Sequence, residues 1–402
     1  MKQEFDLIIV GAGVVGAALA AALCDRGLRI AILDAREPAR FDPKAEWDLR
    51  VFALSPASRQ LFEAVGVWKS IPVGRVCAYT AMQIWDATGR GRIKFDCAEV
   101  GEEALGYIVE NRLLQHALWQ RLEQAGNITA IHPARPDAVH FDAQHVVLSL
   151  QGGGRLQARL LVAADGADST LRKLADIETK GASYRQQAVV AHLSTKKPHC
   201  NTARQRFLPG GPLALLPLAD GRVSLVWSLD DPRADEIRAL DDAQFCAAVA
   251  QASEYVLGEI TSTTIRAAFP LQRLRARAYV RPRLALIGDA AHAVHPLAGQ
   301  GMNLGLLDVA ALSAVIHAAV ARECDIGDLA VLRRYERARK GDNLAMIVAL
   351  DGFKRLFGND IRPVALLRNA GLNAVDRFTP LKSAFMRRAM GLNGKMPPPS
   401  RL

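Results

Sequence analysis

Apolar and polar positions follow two rhythms along the chain. Phe5-Asp6-Leu7-Ile8-Ile9-Val10 ends in an unbroken apolar run, as a strand covered on both faces does, and the alanine-rich stretch Val14 to Arg26 follows as a helix closing near Gly27. Leu28 to Leu33 predicts a second buried strand, closed by Asp34, which completes a βαβ unit. Pro56 to Val65 reads as a helix, and Ala81 to Ile84 and Arg92 to Phe95 read as short strands around the turn Asp86-Ala87-Thr88-Gly89. Leu114, Leu118 and Leu122 recur every four residues and place a helix over Asn111 to Ala125. Val146 to Ala164 reads as strand, Gly152-Gly153-Gly154 turn, strand.

From about residue 181 to 270 the rhythm changes. Ala188 to Leu193, Leu213 to Pro217 and Arg222 to Ser228 alternate as antiparallel strands do, which predicts a second domain. Leu284 to Ile287 returns to a buried run, and a long helix is predicted from Gly301 to Arg322. The first domain is therefore discontinuous.

The 402 residues exceed one compact core, and a composition of 50% hydrophobic and 23% charged residues is that of a globular protein. Six cysteines without a C-x-x-C pair give neither a zinc ribbon nor a disulfide framework, and read as free thiols in a reducing compartment. Leu7 to Cys24 is 18 residues without a charge, long enough to suggest a membrane span or signal segment. Acidic Glu4 and Asp6 before it and glycines at 11, 13 and 16 favour strand and helix instead, so no targeting segment and a cytoplasmic location are expected. The net charge of +10 is uneven: residues 352–402 hold ten Lys/Arg against Asp360 and Asp376. The rest is close to neutral, so overall charge is no argument for nucleic-acid binding, and none is expected.

Gly11-Ala12-Gly13-Val14-Val15-Gly16, between strand and helix, has the form of a dinucleotide fingerprint. Gly11 permits a tight turn, Gly13 lets backbone approach a pyrophosphate, and Gly16 permits close helix packing, while the helix N-terminus offers unpaired N–H groups to phosphate. Asp34 is placed to accept from an adenosine ribose, and its charge disfavours a 2′-phosphate. FAD and NAD both fit at this point. Two further elements end apolar strands in small-plus-acidic turns: Leu160-Leu161-Val162-Ala163-Ala164-Asp165-Gly166-Ala167-Asp168, and Leu284-Ala285-Leu286-Ile287-Gly288-Asp289, which runs on from His295-Pro296-Leu297 to Asp308. Such turns sit at the carboxyl edge of a parallel sheet, where ligands bind. His292 and His295 form an H-x-x-H pair, but no cysteine or carboxylate cluster joins them at zinc-ligand spacing, and no metal is expected.

In order and spacing, these elements resemble the para-hydroxybenzoate-hydroxylase-like flavin monooxygenases. The stretch His295 to Asp308 resembles the signature of the ubiquinone-biosynthesis FAD-dependent aromatic-ring hydroxylases within that group, and Trp47 to Ser55 and Val109 to Arg112 extend the likeness. The resemblance implies an α/β fold: a Rossmann-like FAD-binding domain (1–75, 100–180 and 271–340), a mainly antiparallel β-sheet substrate domain (76–99 and 181–270) and a basic helical C-terminal region (341–402). It implies bound FAD, with NAD(P)H or another reductant and O2 as co-substrates, and hydroxylation of a polyprenylated phenol through a flavin hydroperoxide.

By the same resemblance the cofactor-binding residues are Gly11, Ala12, Gly13, Val14, Val15, Gly16, Asp34, Arg50, Asn111, Arg112, Asp165, Gly166, Gly288, Asp289, Gly299, Gln300, Gly301, Met302 and Asn303, with His295 and Pro296 beside the flavin. Gly299, Gly301 and Gly305 also lead into a helix whose first N–H groups could stabilise negative charge on a reduced flavin; close packing of helix on sheet is the other reading. Two alternatives stay open. A small soluble phenolic acid would call for a buried cation, for which Arg204 and Arg206 are candidates. A scaffold subunit of a multi-enzyme ubiquinone-biosynthesis complex would retain FAD for structure.

In the tail, Met346, Leu350, Phe353 and Phe357 form one helical stripe beside Lys354 and Arg355, and Leu381, Phe385 and Met386 lie near Lys382, Arg387 and Arg388. Such a surface suits the inner face of an anionic cytoplasmic membrane, or it packs on the rest of the protein with its charges solvated.

Overall fold

The computed structural model describes residues 2–38, 41, 42, 44–295, 297–358 and 361–392. At the centre of its eight-stranded sheet lies Lys2–Val10, parallel to Ile30–Leu33 on one side and to Arg155–Ala163 on the other, with Val10 in register with Leu33 and Ala163. Ile128–Ile131 and Leu284–Leu286 extend the sheet in parallel, and the hairpin Pro136–Phe141/Val146–Leu150 joins antiparallel. Helices cover the sheet, which is why Leu7, Ile8 and Ile9 are all shielded from solvent and the strand shows no alternation. Along the chain the first helices are α1 (Val14–Leu23), α2 (Pro56–Ala64), α3 (Asn111–Glu123) and the short α4 (Thr170–Leu174). The charge-free run Leu7 to Cys24 is thus strand, turn and α1.

A nine-stranded sheet forms the second layer, antiparallel except where Thr202–Leu208 runs parallel to Ala81–Asp86. Its long strand Thr179–Thr195 pairs with Val223–Asp230 and Ala267–Ala276. Two helices that strand periodicity did not announce, α5 (Asp231–Ala239) and α6 (Asp242–Ala252), cover one face and bury Ile237, Phe245 and Val249 against Leu213, Leu225 and Trp227. Val51–Leu54, Gly106–Glu110 and Val76–Tyr79 form a separate three-stranded sheet.

Four helices complete the chain: α7 (Gln300–Val320), α8 (Leu329–Phe357), α9 (Arg362–Arg377) and α10 (Thr379–Ala389). α7 is long and apolar enough to cross a bilayer, but it packs between α1 and α8 as a core helix. α8 runs unbroken through residue 341, so the backbone has no joint at the boundary expected there. The terminal Pro397-Pro398-Pro399 lies outside the described residues.

Candidate active site

Lys2–Val10, Arg155–Ala163 and Leu284–Leu286 are neighbouring parallel strands, so the three acid- and glycine-bearing turns that follow them meet at one carboxyl edge. Gly11 has φ +102°, and a Cβ there would lie 2.3 Å from the Ala164 oxygen; a Cβ on Gly16 would lie 1.9 Å from the Gly11 oxygen. Both are consumed by the turn itself. Gly13 differs: a Cβ there would meet nothing within 4 Å, and the residue lines a cavity of about 540 Å³. Asp34 accepts from Ala12 N at 2.8 Å and from Arg36 N at 3.0 Å, which holds the glycine loop against the second strand.

The cavity wall gathers Gly13, Val14, Val15, Arg50, Asn111, Gly166, Asp289, Gly299, Gly301 and Met302. Two helices begin there without a side-chain cap, α1 after Gly13 and α7 after Gly299, so both turn their positive ends to one cavity. Gly166, at φ +83°, also has open space where a Cβ would sit. Beside it the half-buried Asp165 accepts from Leu171 N through Oδ2, whereas its Oδ1, itself shielded from solvent, has no partner. Burial pushes the Asp165 carboxyl up, against the Ser169 hydroxyl and the Leu171 amide, and burial likewise raises Asp289, against the charges of His292 and Arg50. Open glycine cradles, two uncapped helix ends and an orphaned carboxylate oxygen fit a dinucleotide carrying phosphates and hydroxyls.

Arg50 and Arg112 are set by a buried frame that the sequence did not single out. Arg75 grips Glu110 through two nitrogens at 2.7 and 2.8 Å, and Glu110 accepts from Asp48 N. Asp48 in turn accepts from the backbone amides of Arg50 and Arg112. Asp48 lies within the stretch that carried the family likeness, but its role is visible only once residues 48 and 110 are brought together.

Among the remaining expected residues, Gly288 and Gly305 serve packing: Cβ atoms there would press on Val15 at 3.2 and 2.9 Å. Asn303 donates to the Ala53 and Gly299 oxygens and accepts from Ser55 N and the Ser58 hydroxyl, binding the strand Val51–Leu54 to the start of α7. Gln300 and Asn303 face a second, adjoining cavity. His292 bonds to Asp308, which also accepts from Gly288 N, Arg339 and Asn343. Burial alone would raise Asp308, but these partners hold it below the usual carboxylate range. His295 is buried with neither ring nitrogen partnered, its ring edge-on to Tyr184 at 5.0 Å, and burial together with the Lys354 charge lowers its pKa to about 4. Pro296 lies outside the described residues.

Of the two candidate cations, Arg204 lines the first cavity with its Nε unpartnered, and Arg206 does not line it. Arg204 donates to the His199 and Thr202 oxygens, and Arg206 to Ala252 O and Glu254. Next to them on the strand, Gln205 faces the cavities, and Tyr79, Met82 and Leu297 line the same junction. Burial raises the Tyr79 phenol to about 12, so it stays neutral.

Residues 4–344 match the FAD binding domain family. The chain is 37% identical over 391 residues to 3-demethoxyubiquinol 3-hydroxylase of Escherichia coli (strain K12), covering 97% of this chain and all of that one. It is 38% identical over 397 residues to ubiquinone hydroxylase UbiL of Rhodospirillum rubrum, covering 99% and 92%. In fold it resembles p-nitrophenol 4-monooxygenase PnpA from Pseudomonas putida DLL-E4, with a TM-score of 0.78 at 17% identity over 98% and 99% of the two chains.

Proposed function

The chain belongs to the FAD binding domain family and is an FAD-dependent monooxygenase, and from that premise we propose that it hydroxylates the aromatic ring of a polyprenylated phenol in ubiquinone biosynthesis. The observation that carries this reading is the cavity itself: it runs from uncapped helix ends to the face of the nine-stranded sheet, where the wall is Val190, Ala203, Ala214, Leu216 and Val226. The apolar wall suits a neutral, electron-rich ring; Arg206, which is not part of the wall, pairs with Glu254, while Arg204 stands in the wall, donates through one nitrogen to the His199 and Thr202 oxygens and leaves its Nε without a partner.

FAD would be held by Gly13 to Val15 and the N-terminus of α1 at its phosphates, by Asp34, Asp165 and Asp289 at its hydroxyls, and by Arg50, Asn111 and the Gly299–Met302 turn elsewhere. Bound there, it supplies two-electron chemistry with a nicotinamide and transfer of one oxygen atom from O2 to the ring. The protein's part is to orient the ring at the junction of Tyr79, Met82, Gln205 and Leu297, to exclude water with apolar walls, and to stabilise negative charge at the start of α7. Tyr79, neutral at working pH, and the Gln205 amide can each donate a hydrogen bond to a ring oxygen.

The experiment is a turnover assay of the holoenzyme with NAD(P)H, O2 and a polyprenylphenol in detergent. A product heavier by one oxygen, labelled when 18O2 is used, is expected. Reductant oxidation that no polyprenylphenol stimulates, with no hydroxylated product, would sink the reading.

The same proposal places the enzyme in the cytoplasm against the inner face of the cytoplasmic membrane. Of the fourteen exposed large apolar side chains among the described residues, ten lie between 344 and 385, in the basic stretch. An apolar and basic surface binds anionic lipid.

A further inference from the structure

The cavity that adjoins the flavin cleft is the larger of the two, at about 790 Å³, within the range that buries a drug-sized ligand. Its floor is the strand pair Ala81–Asp86 and Thr202–Leu208, and its roof is α8, α9 and α10. Ala53, Tyr79, Met82, Gln205 and Leu297 line both cavities, so the two spaces meet where the ring is oriented. The roof is fastened by buried polar groups: Arg368 of α9 pairs with Asp86, and Lys382 of α10 pairs with Glu99 and Asp376. Phe353, Leu367 and Phe385 line the chamber and are also exposed, one on each roof helix, and so mark a mouth to the outside.

We infer that the chamber beneath α8, α9 and α10 is the binding site for the substrate's isoprenoid tail, with the tail leaving the protein between Phe353, Leu367 and Phe385. The inference rests on the proposed function and deepens it. The occupant follows from continuity: a tail attached to a ring at the junction has this apolar space beside it. Roof side chains that would otherwise be an unexplained exposed stripe become the walls of a slot open at both ends.

Gly371 supplies the test. It lines the chamber from α9, and a Cβ there would meet nothing within 4 Å, so a large side chain enters empty space without backbone strain. Gly352 of α8 is equally open but is not among the lining residues, and it provides the control. Binding of geranylgeraniol, which has no ring to hydroxylate, is measured on the FAD-loaded full chain for wild type, Gly371→Trp and Gly352→Trp, with Ala349→Phe as a second chamber variant. At least tenfold weaker binding is expected for the two chamber variants, with Gly352→Trp and FAD content unchanged. The KM of a long-tailed phenol should rise in parallel, while that of its one-isoprene analogue stays put. Equal affinity in all four proteins would overturn the chamber and leave the proposed function standing. Wild-type binding that the chamber variants lose, without turnover of any polyprenylphenol, would do the reverse.

Discussion

Gly13 and Gly16 share a fingerprint but answer to different neighbours. A methyl at 16 collides with the protein's own backbone, whereas a methyl at 13 enters the cavity. Gly16→Ala should therefore destabilise the FAD-free protein by about 2 kcal/mol or more. Gly13→Ala, in a backbone any residue adopts, should unfold no earlier than wild type in urea yet bind FAD at least tenfold more weakly. Equal loss of FAD affinity and of stability in both variants would refute this division. His295 gives a pH prediction. Its pKa falls from 6.5 toward about 4 on folding, so between these values the unfolded chain binds more protons and stability drops as pH falls. From pH 7 to 4.5 the wild type should lose about 2 kcal/mol that His295→Leu retains, read by urea midpoints at the two pH values. Other buried histidines are common to both proteins and cancel.

Among the elements, α9 depends on one fully buried ion pair. Arg368 donates to Asp86 and also to Thr88 and to the last carbonyls of α8, so it joins α8, α9 and the turn Asp86-Ala87-Thr88-Gly89. Arg368→Met leaves the Asp86 carboxylate uncompensated, and a loss of about 3–5 kcal/mol is expected, with faster amide hydrogen exchange along α9. The double variant with Asp86→Asn should recover most of the loss, because the charge left behind is gone; no recovery would mean that packing rather than the pair holds α9. The elements also show where sequence periodicity was sufficient. The fully buried βαβ unit and α7 were legible because each carries a long apolar run, and in the βαβ unit the interrupting glycines and preceding acids favour strand and helix over a membrane span. α5 and α6 were not, since they are short, polar on one side, and embedded among alternating strands.

For the whole molecule, the tail is both wall and surface. Leu350 and Phe357 pack on Phe207 and Leu297, while Val348, Leu366 and Phe378 face outward. Its basic residues divide in the same way: the packed alternative with all charges solvated does not hold at Arg368 and Lys382, which are buried and paired. A chain cut before residue 345 would uncover the chamber floor and orphan Asp86, so membrane association is better tested with point variants of the full chain. Flotation on anionic vesicles should weaken at least tenfold when Arg355, Arg362 and Arg377 are changed to Gln, at about 1 kcal/mol per charge, and should fall with salt. Equal flotation of both proteins would count against the membrane proposal.

By itself the sequence determined that glycine- and acid-bearing turns follow buried strands, because glycine, acid and apolar run sit next to one another in the chain and their chemistry is local. It also carried the signature that led to the aromatic-ring hydroxylases. Only the tertiary structure decided what the long-range neighbours do: that Asp48 and Glu110 frame Arg50, that Asn303 braces a strand, that Arg206 is tied to Ala252 and Glu254, and that the tail roofs a chamber. The physical reason is the same in each case. Asp48 and Glu110, Asn303 and Ala53, and Arg206 and Ala252 are tens to hundreds of residues apart in the chain, and no local pattern records which carbonyl, carboxylate or cavity will meet such a side chain.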